Sequence, residues 1–192
     1  FVPMHWYFSR NRRPVIVHAE GLYFGGKSEE RSISVLKQII SAFQGFEKVV
    51  VIDVHSGLGP EGVDTFMVDS EARADEARAV FADPKAFAMD YPSSKNGGAS
   101  AGYLARGMLN LSPILGKNTI YVTEEFGTVP GVFVARALIL ENAAFQHAKG
   151  SYIHRVTQDW LRDAFYPQKI SFKKSILKRG RAAFDAAWNY TA

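Results

Sequence analysis

A chain of 192 residues, 47% hydrophobic and 22% charged, has the size and balance of one globular domain that buries its own core. It contains no cysteine, which excludes a disulfide framework and any thiolate zinc site. The net charge of +4 sits largely near the ends, in SRNRRP (9–14) and KKSILKRGR (173–181). A terminal arm and a solvated helix face account for it, so a nucleic-acid footprint is not the expectation. No apolar run reaches the length of a membrane span and no signal-peptide pattern is visible, which favours a cytoplasmic location.

In chain order, Val15–Val17 reads as a short strand that runs into the glycine-rich GLYFGG. Ser28, followed by Glu29 and Glu30, predicts a helix start with acids at the positive end of the dipole. Ile33, Leu36, Ile40 and Phe43 give that helix one apolar stripe, and Gly45 ends it. KVVVIDV (48–54) is a β-branched run with little alternation, the pattern of a strand buried on both faces. Strand, helix and strand in succession predict an α/β layer fold. DTFMV within 60–70 predicts a further strand, and SEARADEARAVFA (70–82) a polar, alanine-rich surface helix. DYPSSKNGGASAG (90–102) is rich in turn formers and reads as a loop. GYLARGMLNLSPIL predicts a helix, NTIYVTEEF (118–126) another buried strand, and VFVARALILENAAFQHA (132–148) an apolar helix packed on the sheet. From Ser171 to Trp188 the pattern is a basic amphipathic helix with Ile176, Leu177, Phe184 and Trp188 as its apolar side.

In open α/β sheets, sites form beyond the carboxyl ends of the strands. IDVHSGLGPEG (52–62) and YVTEEFGT (121–128) each carry polar residues to such an end, followed by glycine, and so could aim His55 and Glu124 or Glu125 into one crevice. Asp53 and His55 fall on the same side of a strand, which fits either a metal-ligand histidine with an acceptor on its other nitrogen or a plain structural ion pair. One histidine and one glutamate do not complete a catalytic zinc site, which takes three protein ligands and an open position. HExxH, HxxE, HxH and a phosphate loop are all missing from the chain. His147 and His154 read as helix-surface or helix-end residues.

IDVHSGLGPEG closely resembles the DLHTGLGP-G signature of a mainly bacterial branch of the carboxypeptidase A-like zinc metallopeptidases. HAEGLYFGG (18–26) resembles that branch's HP-GL-YGG segment, EEFGTVPG (124–131) its E-GT strand end, and ALILEN (137–142) the helix that follows. FYPQ and FKKSILKRG (165–180) resemble its closing segment, so the likeness runs over roughly residues 14–188.

The resemblance implies a single three-layer α/β/α domain with a mixed, mostly parallel sheet. It makes His55 a zinc ligand and Glu125, before Phe-Gly-Thr, the general base that activates water on the zinc. Glu124 turns to the opposite side of the strand. Tyr103, in GYLARG, resembles a tyrosine on a mobile loop that closes over substrate and donates a hydrogen bond. The family's HxxE ligand pair is not found here, and the basic RNRRP (10–14) is not matched to the Asn-Arg pair that binds the substrate carboxylate. The expectation is therefore the C-terminal portion of a zinc-dependent carboxypeptidase-like hydrolase acting on a peptide or amide. The remaining ligands would come from a missing N-terminal half or from another protein chain. The alternative is a catalytically inactive carboxypeptidase-like subunit of a larger assembly.

Overall fold

The computed structural model describes residues 20–22, 28–68, 71–83, 86–90, 112–116 and 118–192. The expected strand Val15–Val17, the loop over 91–102 and the first part of the helix expected from 102 lie outside the described residues, as does Tyr103. In chain order the elements are α1 (Arg31–Ser41), β1 (Val49–Gly57), β2 (Asp64–Met67), α2 (Glu71–Arg78), β3 (Met89–Asp90), α3 (Ser112–Leu115), β4 (Thr119–Gly127), α4 (Gly131–Ala148), α5 (Tyr152–Phe165) and α6 (Ile170–Thr191). Among the described residues four strands form one mixed sheet in the order β1-β4-β2-β3. The β1–β4 and β2–β3 pairs are parallel and the β2–β4 pair is antiparallel. The domain is thus α/β with a mostly parallel mixed sheet between helical layers, as the strand and helix patterns and the family resemblance led one to expect.

The layers follow from the two faces of β4. Ile120 and Val122 share one face with Val50, Ile52 and Phe66, and they pack against Ala74 and Ala77 of α2 and Ala183 and Ala187 of α6. Phe66, Phe81 and Phe87 complete this core with ring centroids 4.4 to 5.4 Å apart. The opposite face carries Tyr121, Thr123 and Glu125, and there α5 closes over the strand ends through Phe165, whose backbone carbonyl accepts from Ser56 Oγ at 2.8 Å.

Several expectations need correction. β1 is not buried on both faces: among the described residues it lies at the end of the strand order, most of its residues are half-buried, and Val54 is 64% exposed. The helix of 71–78 exposes Asp75, Glu76 and Arg78 as expected of a surface helix, but its other face is fully buried at Ala74 and Ala77, where small side chains let α2 approach the sheet closely.

The apolar side assigned to α6 is also reversed. Leu177, Phe184 and Trp188 are exposed and only Ile176 of that side is half-buried, while Phe172, Ala183 and Ala187 are buried. α1 begins at Arg31 after Glu30, without a side-chain cap, and Leu36 and Phe43 of its stripe are exposed. α4 has Val134, Ala135, Ala137 and Ala144 buried and forms a helical hairpin with α5, an element the sequence reading passed over. Ser151 caps α5 by accepting from His154 N–H; His154 sits in the first turn of α5, the helix-end position expected, and is buried there. Its Nδ1 accepts from Gly150 N–H at 3.1 Å, which ties the turn between α4 and α5.

Candidate functional site

The parallel register of β1 and β4 sets the site. Asp53 lies opposite Thr123, and His55 opposite Glu125, so side chains two residues apart on each strand share one face. Immediately beyond, the two chains need glycine. A Cβ on Gly127 would sit 2.3 Å from Gly59 C and Pro60 O, a distance no side chain tolerates, so only glycine lets the end of β4 pass the loop after β1. That approach is secured by Gly62 N–H donating to Gly127 O and Gly127 N–H to Val63 O, each at 2.8 Å. Thr128 Oγ1 also donates to Gly57 O at 2.9 Å. The glycines of GLGPEG and EEFGT are therefore a device that brings two strand ends together.

Glu125 is buried, with 4% of its surface exposed. Its Oε1 accepts from Leu58 N–H at 2.9 Å, which leaves Oε2 toward His55. Burial pushes the Glu125 carboxyl above its usual range, against the lowering pull of the Leu58 N–H and of His55. His55 Nε2 lies 3.1 Å from Asp53 Oδ2, and Nδ1 lies 3.9 Å from Glu125 Oε2, too far for a hydrogen bond. The same Asp53 oxygen accepts from Tyr121 O–H at 2.6 Å. Burial first, then the bond to Asp53, push the Tyr121 hydroxyl well above its ordinary value, so it stays a donor.

Glu124 faces away, as strand alternation dictates, into a separate buried cluster. It shares a hydrogen bond with Asp64, which is itself paired with Arg179 of α6. Burial and the neighbouring Asp64 carboxyl push Glu124 up to about 8, with Arg179 opposing. Arg179 also donates to Ala86 O at 3.0 Å. Asn142 Nδ2 donates to Glu20 O at 2.9 Å, joining the ALILEN helix to the HAEGLYFGG segment.

The structure thus brings Asp53, His55 and Glu125 together. Tyr121 was missed by the sequence reading, although its position four residues before Glu125 on the same strand face was a usable signal. As a donor set, His55 Nδ1 with a buried carboxylate beside it fits one side of a zinc site. Among the described residues there is no group of three or more histidine, cysteine or acidic side chains that could hold a metal ion, so the fit is partial. No helix among the described residues is long and apolar enough to cross a membrane.

No curated protein and no solved structure matches the chain. A family described as a protein of unknown function, DUF2817, matches residues 16–179. That span takes in both strand ends, every element from α1 to α5 and the first part of α6, and the chain belongs to this family.

Proposed function

We propose that this chain is the C-terminal portion of a zinc-dependent carboxypeptidase-like hydrolase that cleaves a peptide or amide bond. The observation that carries the reading is the pairing of His55 with a buried Glu125 across two parallel strand ends, 3.9 Å apart and locked by Gly127. His55 would hold the metal through Nδ1, the nitrogen not directed at Asp53. Bound zinc supplies Lewis acidity toward the scissile carbonyl and lowers the pKa of water. Glu125 takes the proton of the attacking water on Oε2, the oxygen left free by Leu58, and passes it to the leaving amine. Its raised pKa makes it a stronger base than an exposed glutamate. Tyr103, by resemblance, would donate to the substrate carbonyl.

The experiment is Glu125→Gln in the full-length protein, assayed on a panel of peptides for release of the C-terminal residue. We expect cleavage to fall by about 10²- to 10⁴-fold with metal content unchanged. Cleavage at the wild-type rate in Glu125→Gln, or none by the wild type, overturns the assignment. The count of donors among the described residues favours the second reading, a non-catalytic carboxypeptidase-like subunit, which predicts no cleavage by either protein.

A further inference from the structure

The Asp53 carboxylate stands between two side chains, and both meet it on one oxygen. Tyr121 O–H donates to Oδ2 at 2.6 Å, and His55 Nε2 lies 3.1 Å from the same atom. Strand geometry makes the arrangement possible. Asp53 and His55 are two apart on β1, and Tyr121 lies opposite Val51, so its ring reaches diagonally along the sheet face to Asp53. An imidazole whose Nε2 proton goes to a carboxylate keeps its lone pair on Nδ1, and here Nδ1 is the nitrogen on the Glu125 side.

We propose that Asp53 and Tyr121 are positioning residues for His55, with Asp53 holding the Nε2 proton and Tyr121 holding Asp53, so that Nδ1 is presented to a divalent metal beside Glu125. The inference deepens the zinc-hydrolase reading and rests on it for the identity of the ligand. Fold stability is not the alternative explanation. The Asp53 and His55 side chains are about 40% exposed, and an ion pair at that exposure contributes at most about 1 kcal/mol. Tyr121 restrains the geometry, because its bond holds a carboxylate that on a half-buried strand would otherwise be free to turn toward solvent.

Two measurements on the full-length protein test this. The first uses metal-free protein above the imidazole titration, with the His55 resonances assigned through His55→Gln. We expect a slowly exchanging Nε2–H proton in the wild type, lost in Asp53→Ala and faster to exchange in Tyr121→Phe. The second is zinc affinity by chelator competition. Asp53→Ala should weaken binding by about 10- to 100-fold, Tyr121→Phe by a few-fold, and Asp53→Asn, which keeps an acceptor oxygen, should recover part of the loss. An Nε2–H that exchanges as fast in the wild type as in Asp53→Ala overturns the proposal. So does zinc affinity unchanged by Asp53→Ala while His55→Gln abolishes binding. If the wild type binds no zinc, the hydrolase reading fails by itself, and the exchange measurement still decides the positioning.

Discussion

Gly127 shows how much one residue can decide. Its missing Cβ lets the β4 end lie against Gly59 and Pro60, and the atoms that a methyl would strike belong to backbone, which cannot turn aside. Gly127→Ala should therefore lose the upper end of the roughly 1–3 kcal/mol typical of overpacking, read from the denaturant midpoint. Glu124 gives a second prediction at this scale. With its pKa at about 8 in the folded chain against 4.5 ordinarily, the folded state keeps a proton that the unfolded state releases. The sign is opposite to that of a paired surface carboxylate: stability is greatest at low pH and falls as pH rises from about 4.5 through 8. The slope is at most about 1.4 kcal/mol per pH unit. Glu124→Gln, which mimics the protonated acid, should flatten that fall and be more stable than the wild type at pH 9. Unfolding curves at pH 5, 7 and 9 check it, and parallel curves for the two proteins would contradict it. The sequence put Glu124 and Glu125 on opposite faces because alternation is local. It did not reveal Asp64 and Arg179 as partners of Glu124, because those meetings depend on how distant segments fold back on the strand.

Among the elements, α6 teaches why periodicity alone misassigns a face. Its large apolar residues Leu177, Phe184 and Trp188 form a stripe, yet the residues it buries are Phe172, Ala183 and Ala187, the two alanines against the sheet. A helix laid closely on a sheet selects small side chains, and a hydrophobicity pattern weighs alanine too lightly to see it. The same bias hid the buried side of α2, where Ala74 and Ala77 do the packing. The correction is testable. Phe172→Ala should cost about 3–5 kcal/mol, whereas Leu177→Ser, 73% exposed, should stay within about 0.5 kcal/mol. Equal losses in thermal or denaturant unfolding would restore the original face. Strand ends fared better than helix faces. The strand positions of IDVHSG and TEEFG were placed correctly, because β-branched runs followed by glycine mark a strand and its stop.

For the whole molecule, the α/β class and the layering were legible because strands and helices alternate along the chain, and alternation restricts topology. Half of the candidate site was legible for the same reason: parallel strands bring like ends together, and His55 and Glu125 sit at like ends. What was not legible was the network behind His55, since Tyr121 looks like any strand aromatic until the β1–β4 register is known. The account depends on the paired strand ends forming one corner of a metal centre. The most direct measurement is elemental analysis of the purified full-length protein beside its His55→Ala variant, after both are shown to be folded. The account predicts close to one zinc per chain in the wild type and little or none in His55→Ala; a folded wild type without stoichiometric metal after zinc loading, or equal zinc in both, would contradict it.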